Sequence, residues 1–384
     1  MPDFNIPWLL LILIINTMLM RIRKFNIVML RLVVIFINGC MACSSPSKSA
    51  DDLSRLKQEV AIVDTLLRDP SFAEFMARSL DSVYYNALGQ PQPVFLNNND
   101  ADIVQLMRLK DEKIATSIAP FYALECGVEL LSKKSGEPFL TWLLKIIKGE
   151  ADSNAVLLLN RFANATWKAG QPFRDMERLK RYNFRVAGLL SREETDKDSV
   201  QIVNSAVKLF SVMSPVRKGT QEDQLKFLRQ LLQDTTFAQT ISSYADSTYA
   251  VSQHQAPVSV HPDVPDTATV KKTLKQMKVA TSLAGFYALE CGLDYLVTVR
   301  HMLPSTILHS VANGSLSKED EMLFARFANA TWKAGQPFRG LNRTTRKNFT
   351  PFYYLSDPDI EKDVVQIKAA ASILLSTLNT RKNL

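Results

Sequence analysis

Glycine is scarce in this chain, at 13 of 384 residues. Few points of backbone freedom suit helices, and no sustained alternation of apolar and polar residues marks a sheet. Histidine is scarcer, with His254, His261, His301 and His309 all late in the chain. None stands at a ligand spacing with other metal-binding side chains, so no metal is expected. The phosphate-cradling pattern G-x-x-x-x-G-K-[ST], the dinucleotide pattern G-x-G-x-x-G and the nucleophile pattern G-x-S-x-G are all missing, and no cofactor is expected. Of four cysteines, Cys40 and Cys43 lie near the N-terminus, whereas Cys126 and Cys291 lie far inside and read as small buried hydrophobes. The formal charge is +8, but the first 43 residues carry four basic residues and one acid, so the remainder holds 42 minus 37, or +5. Spread over so long a chain, that excess argues against a nucleic-acid partner.

What the chain does have is a repeat. The fourteen residues from Arg161 to Arg174 recur identically from Arg326 to Arg339, an offset of 326 minus 161, or 165. The same offset carries Phe72 onto Phe237, Tyr84 onto Tyr249, Glu125 onto Glu290 and Gln201 onto Gln366. A tandem duplication is expected, with repeat 1 over 53–217 and repeat 2 over 218–384. Each unit is long enough for its own core, so the expectation is an all-α fold of two homologous lobes, six or seven helices each, in contact with one another.

Residues 25–39 are apolar, preceded by Arg21, Arg23 and Lys24 and followed by Cys40. That is a basic region and a short hydrophobic region in the order of a signal peptide. Its end, Ile37-Asn38-Gly39-Cys40, resembles the lipobox of bacterial lipoproteins, in which a small residue precedes a cysteine whose thiol is acylated before cleavage. The resemblance implies lipidation at Cys40, with Cys43 as the alternative acceptor, and anchorage in the bacterial cell envelope, at the outer membrane. A second apolar run, Ile6 to Met20, precedes it, and Met20 is an alternative start. Read as a hairpin, both runs fall short of the roughly 20 residues that span a bilayer, and Arg31 interrupts one. The targeting segment is therefore 1–43, and the polar stretch 44–52 reads as a flexible tether.

Helical spacing fills both repeats. Leu56, Val60, Val63 and Leu67 recur at steps of three and four, and a second helix runs from Phe72 to about Ala87. A proline- and asparagine-rich connector follows. The third helical region, 103–131, includes Lys113 to Gly127, which matches Lys278 to Gly292 at 12 of 15 positions. Pro120 there faces Gly285, so both repeats are expected to kink or break nearby. A fourth helix covers 138–148, and a fifth is capped by Asp152 and Ser317 and ends at Gly170. A sixth starts at Pro172, and a last one spans 197–213.

Residues 128–160 agree with their partners at 5 of 33 positions, against 14 of 14 in the motif. Cores accept volume-conserving swaps at about 1.5 kcal/mol or less, so packing alone does not demand such identity. On the fifth helix Leu158, Phe162, Ala165 and Ala169 form a core stripe, while Arg161, Asn164, Trp167 and Lys168 form another face. With Arg326, Asn329, Trp332 and Lys333 they are candidate binding residues that touch the sister lobe or a ligand. Arg174, Arg178 and Arg181, with Arg339, Arg343 and Arg346, follow at i, i+4 and i+7, a row able to hold phosphate or carboxylate. Glu125 and Glu290 sit among apolar neighbours and need a partner. Arg161 or Lys168 is expected for the first, and Arg326 or Lys333 for the second.

These features favour a non-enzymatic binding or scaffold protein of the envelope, taking an envelope protein or an anionic ligand as partner. The alternatives are an envelope hydrolase with Glu125 and Glu290 as catalytic residues, although no nucleophile or second acid stands beside them, and a toxin-binding immunity-type lipoprotein.

Overall fold

The computed structural model describes residues 50–87, 89, 118–170, 184–252, 282–335 and 349–382. Among them are twelve α-helices, three short 3-10 turns and no strand, so the protein is all-helical. The first six helices are α1 Ala50–Arg68, α2 Pro70–Ala87, α3 Ala119–Ser135, α4 Phe139–Lys148, α5 Ser153–Gly170 and α6 Arg192–Val212. The second six are α7 Gln221–Gln233, α8 Thr235–Ser252, α9 Ala284–Arg300, α10 Pro304–Ala312, α11 Lys318–Gly335 and α12 Asp357–Lys382. Helices α2, α3 and α5 return as α8, α9 and α11 with both ends displaced by 165 residues, as in 235 minus 70 or 335 minus 170. The 3-10 turn Ala187–Leu189 returns as Phe352–Tyr354 at the same offset. No described helix is long and apolar enough to cross a membrane.

Local chemistry sets the helix ends. Asp69 and Asp234 accept the backbone N–H groups that open α2 and α8, Ser71 at 2.9 Å and Thr236 at 2.7 Å. Asp152 accepts from Ala155 N–H, and Ser317 exchanges hydrogen bonds with Asp320, as expected for α5 and α11. Thr220 and Asp223 form a reciprocal capping box at α7. Helix α3 ends on Gly136 in the left-handed region (φ 73°), and its counterpart α9 ends there on His301 (φ 55°), where a side chain is less comfortable.

Some expected boundaries move. Helix α1 starts at Ala50, inside the stretch expected as a tether, and α6 starts at Arg192, where Ser191 caps it through Glu194 N–H. Pro120 and Gly285 lie in the first turns of α3 and α9, where a missing N–H or a missing side chain costs little. The targeting segment 1–43, with Cys40 and Cys43, lies outside the described residues, as do 103–117 and the helix expected from Pro172.

Among the described residues the two halves share a core. Arg55–Leu384 make one compact unit, and one apolar cluster draws on helices of both halves. Helices α3, α5, α9 and α11 are its centre: α5 packs on α3, α9 and α11, and α11 packs on α9, α3 and α5. Where α5 meets α11, Phe162 and Phe327 stack with centroids 4.0 Å apart and planes 7° from parallel. The outer helices also cross over. Helix α2 lies along α12, and Phe72 meets Phe286 of α9 edge-on at 5.8 Å. Its counterpart α8 lies along α6, with Phe237 edge-on to Phe121 of α3 at 5.4 Å.

Close approach at the centre depends on two glycines. A Cβ on Gly127 of α3 would stand 2.6 Å from Leu159 Cδ2, and one on Gly292 of α9 would stand 2.6 and 2.7 Å from ring atoms of Phe324. Leucine can rotate away, whereas the phenylalanine ring is enclosed. Gly292→Ala is therefore expected to cost about 2 kcal/mol net of its gain in helix propensity, and Gly127→Ala about 1 kcal/mol or less. Urea unfolding of both variants checks the order, and an equal or reversed cost would contradict it.

Candidate functional site

The repeated motif lies inside this centre. Arg161, Asn164 and Lys168 of α5 are buried, and so are Arg326, Asn329 and Lys333 of α11. Trp167 and Trp332 are half-buried against Phe184 and Phe349, each pair of centroids 5.5 Å apart. The arginine rows, Arg174, Arg178 and Arg181 with Arg339, Arg343 and Arg346, lie outside the described residues.

Each buried cation reaches across to the other half of the chain. Lys168 Nζ donates to Glu290 Oε2 at 2.5 Å, and Lys333 Nζ donates to Glu125 Oε2 at 2.6 Å, all four side chains fully buried. Arg161 pairs with Asp294, and Arg326 pairs with Glu129 at 2.7 Å. The expectation that each glutamate takes its partner from its own repeat is thus corrected. The turn of α5 that carries Lys168 faces α9, and the equivalent turn of α11 faces α3.

A thiol and an amide complete each cluster. Cys126 Sγ lies 3.2 Å from Glu125 Oε2, 3.6 Å from Asn329 Oδ1 and 3.7 Å from Lys333 Nζ. Cys291 Sγ lies 3.1 Å from Glu290 Oε2, 3.5 Å from Asn164 Oδ1 and 4.0 Å from Lys168 Nζ. Glu, Cys, Asn and Lys thus meet twice, each time with Glu-Cys from one half and Asn-x-x-x-Lys from the other. Burial, reinforced by the neighbouring glutamate, pushes both thiols well above the ordinary cysteine value, so both stay protonated and unreactive. Burial opposes charge on the lysines too, but the carboxylates of Glu290 and Glu125 offset it and hold both ammonium groups above the usual value.

The two clusters differ in their outer hydrogen bonds. Glu290 Oε1 accepts from Ala187 N–H at 3.3 Å and Asp294 Oδ1 from Gly188 N–H at 3.2 Å. Glu125 Oε1 and Glu129 Oε2 have no hydrogen-bond partner among the described residues. Burial raises Glu125 above the usual carboxylate range, Glu129 adds to the rise, and Lys333 opposes it.

Comparison with family models, with curated proteins and with solved structures gave no match. The arrangement must be judged by its own chemistry.

A glutamate sealed in the core and closed onto a lysine and a protonated thiol lacks the solvent access that acid–base work on a glycan or lipid requires. One crevice reaches Glu290 and Asp294, between Val60 and Val63 of α1 and Leu293 and Val297 of α9, but it is far below the size of a substrate pocket. Among the described residues no three His, Cys, Asp or Glu side chains are placed to hold a metal ion.

Glu129 and Asp294 were not among the expected site residues. Their signal is in the sequence: each is an acid one helical turn after the repeated glutamate, and acid type persists at an otherwise divergent position. Asp198 is a further addition. It is buried on α6, and burial, then Glu194, raise it to about 7 against the pull of Lys168 and Arg161. Asp363, at the same offset on α12, is also raised to about 7.

Two predictions follow from these charges. Lys168→Ala or Lys333→Ala is expected to cost about 3–5 kcal/mol in urea unfolding by stranding a buried carboxylate, whereas Lys333→Met combined with Glu125→Leu restores most of the loss. An unchanged single variant would show that the pair is not closed in the native protein. For Asp198, the folded carboxyl holds its proton to about pH 7 whereas the unfolded one releases it near 4. The native state therefore binds the extra proton, and stability falls as pH rises through that window. Relative to Asp198→Asn, the wild type is expected to lose up to about 1.4 kcal/mol per pH unit between about pH 4 and 7. Parallel stability curves for the two proteins would refute this.

Proposed function

We propose that this chain is an exported, lipid-anchored protein of the bacterial cell envelope, built by tandem duplication, that serves as a non-enzymatic scaffold or binding protein. The observation that carries the non-enzymatic reading is the closure of Glu125 and Glu290 onto Lys333 and Lys168 of the other half. The residues kept identical between the repeats are used to join the two halves into one core, and that leaves the outer surface for a partner or an anionic ligand. Recurrence of helix ends at the offset of 165 supports the duplication. The anchored part rests on the basic, apolar and Gly-Cys order of residues 21–40.

A hydrolase acting through Glu125 and Glu290 has less support, because each carboxylate is buried and engaged. Binding of a toxin is one case of the binding role. The anchor is tested by expressing the full chain in a bacterial host fed an alkyne-tagged palmitate. Label is expected on the wild type and on Cys43→Ser and is expected to vanish from Cys40→Ser. Loss in Cys43→Ser alone would move the anchor to that residue, and an unlabelled wild type would overturn the anchored reading.

A further inference from the structure

Helices α1 and α2 form an arm whose seat is built mainly by the second half of the chain. Glu59 of α1, fully buried, accepts hydrogen bonds from Ser305 N–H at 2.7 Å and Ser305 Oγ at 2.9 Å, capping the start of α10, and also pairs with Lys382 at the end of α12. Asp69 stands 3.7 Å from Arg381, and Phe72 packs on α9. Asp64 takes the backbone N–H of Val186 at 3.0 Å, and that turn is itself held on α9 through Glu290 and Asp294.

The second half carries the same arm, α7 and α8, seated on the first half. Gln224 Oε1 accepts from Leu140 N–H at 3.1 Å and Gln221 Oε1 from Phe139 N–H at 2.7 Å, both at the start of α4. The tethers differ. Helix α7 follows α6 after residues 213–220, so its arm is bound to an adjacent seat in its own chain. Between α2 and α3 stand the thirty-one residues 88–118, and even the fifteen ahead of the expected helix, 88–102, have a contour of about 50 Å. The crevice between Val60 and Val63 of α1 and Leu293 and Val297 of α9 runs along this seam, so packing there is incomplete.

We infer that the α1–α2 arm exchanges between two copies of this chain, each copy placing its Glu59 on the Ser305 and Lys382 of the other. Every contact made within one chain is then remade between two, so exchange costs little beyond the loss of intramolecular tethering, and the balance depends on concentration. The partner is a second copy of the chain, recognised by the acidic cap of α1 over the α10 start and the basic end of α12.

The test uses the full chain, refolded from urea in mild detergent over a hundredfold range of concentration, with mass measured by sedimentation equilibrium in density-matched solvent. A dimer that grows with concentration is expected, and monomer throughout overturns the inference. The route is read with Asp69→Cys/Arg381→Cys and a short bis-maleimide, set against the parent chain as control for native thiols. Links between chains in the dimer fraction are expected. A dimer whose introduced cysteines link only within chains, or not at all, associates through another surface and also overturns the inference.

Discussion

Two buried ammonium–carboxylate pairs, each with one member from either half of the chain, hold the protein together as one unit. Lys168 with Glu290 and Lys333 with Glu125 are wholly removed from water. An ion desolvated this far is tolerated only when its partner is fixed in place, so the four helices that carry these side chains must sit in one relation to one another. That relation brings Phe162 onto Phe327 and leaves room for a glycine, not a side chain, at positions 127 and 292. Thr166 and Thr331 return their hydroxyls to the carbonyls of Phe162 and Phe327, so the central turns of α5 and α11 expose no unsatisfied hydroxyl to the core.

The crossing propagates outward. The seats beside α9 and α12 belong to the second half and those beside α3 and α6 to the first. The arms fill them in the crossed sense, with the cap made by Glu59 in one case and by Gln224 in the other. A carboxylate and an amide thus do the same work at equivalent positions, but the carboxylate adds a bond to Lys382. The clusters have diverged similarly. Backbone groups of Ala187 and Gly188 complete Glu290 and Asp294, while Glu125 and Glu129 retain an unmatched oxygen each among the described residues.

Much of the fold was legible from residue pattern. Helical spacing gave α1, α2 and α4 to within a few residues, and Asp152 and Ser317 marked the starts of α5 and α11 because caps are local chemistry. The start of α6 was missed by five residues, since Arg192 to Asp196 are polar all round and only the Ser191 cap marks it. The members of the buried clusters were also legible. Glu125, Glu290, Arg161, Asn164, Lys168 and their counterparts stood out because polar identity within a diverging apolar stretch needs a cause beyond volume. Whether Arg161, Asn164 and Lys168 meet the other half of the chain or a ligand was not legible, as amphipathic spacing cannot separate a face turned to water from one turned to another charged helix.

The sequence by itself determined the helices, the offset of 165 and the residue types that would have to be paired in the core. Only the tertiary structure decided which copy pairs with which. Both repeats carry the same glutamate, cysteine, asparagine, arginine and lysine, so pairing within a repeat and pairing between repeats satisfy the same charges and hydrogen bonds. Each of α5 and α11 packs on both α3 and α9, and the choice lies in which turn faces which helix: the turn with Lys168 meets α9 and the turn with Lys333 meets α3, so the lysine of each repeat reaches the carboxylate of the other.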